Sequence, residues 1–287
     1  MKPRVLAVLG AIVLVLGCAG GYAWWSRAAA PGYALGSGSE AGLVDIDAGE
    51  IPIPPFPPRI AEGDEYDKCL TMLTDDPEGA EAIAESWQAK GGGDGALHCQ
   101  ALALIAAGEP DDGAAMLEDL AHSGRFAGLA RAVLLGQAAE ARLMAEKPDL
   151  ALRDTTEALA ISPDDPDLLI GRATAEDALD KTAEALDDLN QALSLDDGRI
   201  EAFTLRASIW RRKDMLDEAR SDIEKAVALD PDDAEALLER GILRQRTGDA
   251  AGARADWTHA RDVDPNSEAA ELAEQNLTLL DSGPDKK

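Results

Sequence analysis

The chain has 287 residues, with 27 Lys and Arg against 55 Asp and Glu, for a formal net charge of −28. That charge excludes partners held mainly through phosphates, so neither nucleic acid nor anionic lipid headgroups are expected on the folded body. Hydrophobic residues make up 46% but aromatic ones only 4%; this excludes a chain disordered throughout and leaves Ala and Leu to pack close helices.

The N-terminal segment reads as a membrane address. Lys2 and Arg4 precede an uncharged run from Val5 to Trp25. As a helix this run measures roughly 30 Å, enough to cross a hydrocarbon core. Tyr22, Trp24 and Trp25 cluster at its far end, where such rings prefer the headgroup layer, and the basic residues before it hold the N-terminus inside. One transmembrane signal-anchor is expected over 1–27, with the body outside the cytoplasm, on the periplasmic side if bacterial. Two alternatives stay open: Ala28-Ala29-Ala30 offers a cleavage site, and Val15-Leu16-Gly17-Cys18 has the form of a lipobox whose Cys18 would carry lipid.

From residue 28 to residue 60 no hydrophobic period persists. Glycines sit among small residues, then Ile51-Pro52-Ile53-Pro54-Pro55-Phe56-Pro57-Pro58 follows. Such a stretch is a linker, flexible first and then stiff polyproline II, which holds the body away from the bilayer. Residues 61–131 read as irregular helical hairpins, Glu65–Thr74 with Pro77–Lys90 and Ala96–Ala107 with Asp112–Ala121. Cys69 and Cys99 are the thiols that follow the membrane segment. Two readings of them are open, a disulfide that fastens these hairpins and a pair of buried free thiols.

Beyond residue 131 a 34-residue period takes over. Ala139, Ala173, Ala207 and Gly241 form one column, Ala151, Ala185, Ala219 and Ala253 a second, and Ala158, Ala192, Ala226 and Ala260 a third. Large residues occupy two complementary columns, Leu135, Leu169, Phe203 and Leu237 in one, Ile161, Leu195, Leu229 and Val263 in the other. Small side chains let helices approach, and a neighbour's Leu or Phe fills the hollow. Each unit divides into two helices, and Pro163, Asp197, Pro231 and Pro265 mark the breaks.

These columns, their period and the terminal Pro resemble the tetratricopeptide repeat family over about 132–265, although most of the family's aromatic positions hold Leu, Arg or Ala. The resemblance implies an all-α, right-handed superhelical solenoid of antiparallel helix pairs, preceded by the transmembrane helix and the Pro/Gly-rich linker. Residues 266–287, with an amphipathic stretch at Glu268–Leu280, would cap it. It also implies that the first helix of each unit lines a concave groove for a peptide. The matching positions are Ile170, Thr174 and Asp177, then Thr204, Ser208, Arg211 and Arg212, then Leu238, Ile242, Gln245 and Arg246. Arg211, Arg212 and Arg246 would give this groove a basic end, beside Leu238 and Ile242, suited to an acidic or C-terminal peptide. The alternative is that these arginines pair with nearby Asp and Glu. The carboxylate clamp of some family members is not reproduced.

No catalytic signature is present, and no cofactor or metal is expected. Asp154, Asp188, Asp222 and Asp256 recur with the same period as the alanines. A cation ladder is one reading of that column; because hard cations need several oxygens from one tight loop, a solvated helix face is the expected one. The expected function is therefore an extracytoplasmic, membrane-anchored scaffold without catalysis that binds a protein or peptide. The alternatives are a structural spacer or self-assembling envelope protein, and a lipoprotein of envelope assembly.

Overall fold

The computed structural model describes residues 60–282. The expected membrane span, Cys18 and the linker up to residue 59 lie outside the described residues. Among the described residues there are thirteen helices and no strand, and none of these helices is long and apolar enough to cross a membrane. Four helices come first: α1 (Asp64–Met72), α2 (Pro77–Gln88), α3 (Gly93–Ala106) and α4 (Pro110–His122). The periodic part follows as α5 (Leu129–Met144), α6 (Pro148–Ile161), α7 (Pro166–Ala178) and α8 (Thr182–Leu195). It continues through α9 (Ile200–Arg212), α10 (Leu216–Leu229), α11 (Ala234–Arg246) and α12 (Ala250–Val263), and ends at α13 (Glu268–Asp281).

Local chemistry starts and stops these helices. Proline opens α2, α4, α6 and α7, where its missing N–H costs nothing. Asp165, Asp233 and Asp249 accept backbone N–H bonds as N-caps, at 3.0, 2.7 and 2.9 Å, each satisfying a donor that the first turn leaves open. Between the two helices of each unit the chain turns through a left-handed residue. These residues are Glu146, Asp180, Asp214 and Gly248, again one period apart, with φ of 56°, 58°, 64° and 90°. The next residue's N–H reaches back five positions, as in Lys147 to Arg142 at 2.8 Å and Asp249 to Arg244 at 2.8 Å, which closes the helix end.

Packing follows the small-residue columns. All twelve of the Ala and Gly positions are buried, as are Leu135, Leu169, Phe203 and Leu237. The other large column is different: Leu195 and Leu229 are 44% and 48% exposed, and Ile161 and Val263 are half-buried. These four residues end the second helix of their units, where the turn to the next unit leaves one side uncovered. The Asp column is also corrected. Asp154, Asp188, Asp222 and Asp256 are buried, so they do not form a solvated face. Arg172, Arg206 and Arg240 reach across from the first helix of their units and grip Asp188, Asp222 and Asp256 with two bonds each, all between 2.5 and 3.0 Å.

The stack is curved. The first helices of successive units touch, α5 with α7, α7 with α9, α9 with α11 and α11 with α13, whereas no comparable contact joins α6, α8, α10 and α12 among the described residues. Crowded first helices and separated second helices place the first helices on the inner, concave side. At the other end, a Cys69–Cys99 disulfide with a Cα separation of 6.3 Å ties α1 to α3.

Candidate functional site

The concave face is built from side chains of α7, α9, α11 and α13 that no second helix covers. Ile170, Thr174, Thr204, Leu238 and Ile242 are half-buried, Ser208 is buried, and Gln245 is exposed. Thr174 spends its hydroxyl on the Ile170 carbonyl at 2.9 Å, so it presents mainly a methyl group.

The three arginines expected to form a basic end are all engaged. Arg211 holds Glu239 of α11 with bonds of 2.5 and 3.0 Å. Arg212 pairs with Asp177 of α7 and donates to Ser208 Oγ at 2.8 Å. Arg246 donates to Asp214 and to the Arg211 carbonyl, both at 2.8 Å. Burial pushes the carboxyls of Asp177 and Glu239 up, and Arg212 and Arg211 oppose that shift. The guanidiniums therefore link neighbouring units and are neutralised by doing so. Of the two readings of these arginines, the structure has the one in which they pair with nearby Asp and Glu.

What remains uncompensated has the opposite sign. Glu235, in the first turn of α11, is exposed in the concavity. Its restricted hydration there, together with Asp233, Glu201 and Glu268, pushes its carboxyl up to about 7. Glu140 of α5, in the same repeat position as Thr174, Ser208 and Ile242, is half-buried, and burial pushes it up to about 7 as well. Neither carboxyl has a cationic partner among the described residues.

Two further features escaped the sequence. The last helix was expected only to cap the stack, yet Leu272 and Leu279, one period after Leu238 and Gln245, are 36% and 67% exposed on α13. Extending the period one helix further would have found them. A buried network also joins α1, α3 and α5. Tyr66 Oη donates to His98 Nδ1 at 2.7 Å, and His98 Nε2 donates to Gln137 Oε1 at 2.8 Å, the tautomer being assigned from these bonds. Burial pulls His98 down to about 4, so it is a neutral tie between hairpins. These contacts fall outside the regular period, so the sequence carried no signal for them.

The comparisons with known proteins agree with this architecture. Residues 205–278 match a tetratricopeptide repeat family model. No curated protein matches the chain by sequence. Among solved structures, the thermophilic TPR protein TTC0263 of Thermus thermophilus is 18% identical, with a TM-score of 0.55 over 64% of this chain and 98% of that one. A tetratricopeptide repeat protein from Parabacteroides merdae is 16% identical, with a TM-score of 0.55 over 78% of this chain and 95% of that one. The APC/C hetero-tetramer Cut9–Hcn1 contains a chain 15% identical, with a TM-score of 0.59 over 74% of this chain and 42% of that one. At such identities the likeness is one of fold. Residues 205–278 thus carry tetratricopeptide repeat sequence, and the described body as a whole has the fold of tetratricopeptide repeat proteins.

Proposed function

We propose that the protein is a membrane-anchored scaffold whose body lies outside the cytoplasm and binds a protein or peptide on its concave face, without catalysis. The observation that carries this reading is the row of touching first helices, whose inward side chains are left uncovered. A preformed surface of this kind loses little ordering entropy on binding, and a tether to the membrane raises the effective concentration of a partner at the same membrane. Tetratricopeptide repeat folds generally serve as interaction scaffolds, and a neighbour in fold occurs in a hetero-tetramer. For location, the support is the uncharged run from Val5 to Trp25 behind Lys2 and Arg4, and the Cys69–Cys99 disulfide, which suits an oxidising compartment. A net charge of −28 keeps nucleic acid away.

Site-specific photocrosslinking in intact cells tests the binding face. A crosslinker at Thr174 or Gln245 should trap a discrete partner, identified by mass, while one at Leu195 or Leu229 on the outer edge should not. Equal trapping from both faces, or none from the concave face, overturns the reading. Protease added outside the membrane should digest the body, and the mass of the mature N-terminus separates an anchor from a cleaved or Cys18-lipidated chain.

A further inference from the structure

Resting on that reading, we propose that the C-terminal end of the concave face takes a peptide segment carrying apolar side chains and a lysine or arginine. The apolar groups lie over Leu238, Ile242, Leu272 and Leu279, and the cation lies against Glu235.

The repeat register separates two faces of α13. Glu274, Gln275 and Thr278 fall one period after Arg240, Gly241 and Arg244, the α11 residues turned toward α12. No second helix follows α13 among the described residues, and these three residues are polar and exposed. The open end of the stack is thus already suited to water. The exposed leucines of this helix are elsewhere, at the concave positions of Leu238 and Gln245. On α7 and α9 the corresponding residues are Ile170 with Asp177 and Thr204 with Arg211, so uncovered apolar surface accumulates on the last two first helices. Exposed Leu272 and Leu279 on α13, which touches the α11 helix that carries half-buried Leu238 and Ile242, extend the uncovered apolar positions across two helices.

Charge selects the occupant. Glu235 precedes Leu238 and Ile242 by three and seven residues, which puts all three on one helix face. The helical rise sets the carboxylate about 5 Å along the axis from Leu238 and about 10 Å from Ile242. The carboxylates that act on it are Asp233 before it, Glu201 on α9, which itself lies 3.8 Å from Arg199, and Glu268 on α13. An occupant without a cation leaves that repulsion in place, and an anionic one adds to it. The chain's own upstream segment sets Glu40, Asp45, Asp47 and Glu50 against a single Arg59, and a second copy carries −28, so both bring net negative charge. A lysine or arginine reverses the local balance, while the arginines farther along the face stay occupied by Asp177, Glu239 and Asp214.

The test is to pan the full-length chain in detergent against a random dodecapeptide library. Enriched peptides should combine Leu, Ile, Val or Phe with a Lys or Arg within about four residues, the reach set by a spacing of about 5–10 Å. For one such peptide, Glu235→Lys should weaken binding about tenfold and Leu279→Asp by a similar factor. Replacing the peptide's cation with Glu should restore binding to the Glu235→Lys protein. Both altered positions are exposed, so circular dichroism should be unchanged. Enrichment of acidic peptides that still compete at Leu238 and Ile242 overturns this inference and leaves the scaffold reading intact. Failure to enrich any peptide, or binding indifferent to every concave substitution, overturns both.

Discussion

Trp257 seats its indole against Gly241, so closely that a Cβ at residue 241 would stand 2.3 Å from the indole nitrogen. That nitrogen donates to the Leu238 carbonyl at 3.2 Å, and the side chain is fully buried. In the preceding units the same two positions are Ala139 with Thr155, Ala173 with Leu189, and Ala207 with Ile223. The largest side chain thus meets the one residue without a side chain. Helix propensity alone favours Gly241→Ala by about 1 kcal/mol, but overpacking a buried indole costs about 1–3 kcal/mol. A net loss is expected in urea unfolding followed by circular dichroism. Adding Trp257→Leu should cost less than the two changes summed, because Ala with Leu already coexists in the second unit.

The Arg–Asp pairs inside units two to four predict unequal effects along the Asp column. Asp188→Ala takes both bonds from half-buried Arg172, leaving Glu176 as its nearby carboxylate, and should cost about 2–3 kcal/mol. In the first unit Ala138 stands where that arginine would be, and Asp154 is held only through Oδ1 by Arg153 of its own helix. Its Oδ2 is buried without a partner, and burial pushes its carboxyl up. Asp154→Asn should therefore cost less than about 1 kcal/mol at pH 7, measured by the same unfolding.

Glu176 is buried beside Asp188, with Oε2 unpartnered; burial first and then Asp188 push its carboxyl up to about 7, with Arg172 opposing. Its folded pKa lies above the unfolded value of 4.5, so the native state binds the extra proton. Stability from this group is full below pH 4.5 and is lost as pH rises through 7. Glu176→Gln should match the parent near pH 4.5 and exceed it by about 2 kcal/mol at pH 8. Parallel stability profiles across that range would contradict the assignment.

The left-handed turn residues predict opposite signs for two substitutions. Gly248 has φ 90° and open space where a Cβ would go, so Gly248→Ala should lose about 1 kcal/mol from backbone strain alone. Asp180 carries a Cβ at φ 58°, and Asp180→Gly should gain up to about 1 kcal/mol. Thermal unfolding of each variant reads both signs.

Reversing Arg212 is a stability experiment as much as a binding one. Asp177 is buried against it, so Arg212→Glu places two carboxylates together and should cost about 2–3 kcal/mol. Arg246 pairs with exposed Asp214, so Arg246→Glu should cost less than about 1 kcal/mol. Equal losses would mean that the inter-unit pairs do not differ in burial as described.

The repeat itself was legible because close helix packing imposes a periodic demand on side-chain size, and a column such as Ala158, Ala192, Ala226 and Ala260 records it directly. Buried charge follows no such rule. The Asp column has the same period as the alanines, and only its partners at Arg172, Arg206 and Arg240, 16 residues earlier, show that it faces inward. The arginines were legible in position but not in pairing. Sequence counts Arg211, Arg212 and Arg246 as positive charge, whereas their neutralisation by Glu239, Asp177 and Asp214 depends on contacts 28 to 35 residues apart.

Sequence alone determined the hairpin period, the small-residue interfaces and the helix breaks, since each depends on local propensity or on one position repeated along the chain. Tertiary structure alone decided which charges cancel and that Cys69 meets Cys99. Those outcomes depend on the curvature that brings first helices together, and curvature is a property of the stack that no single unit encodes.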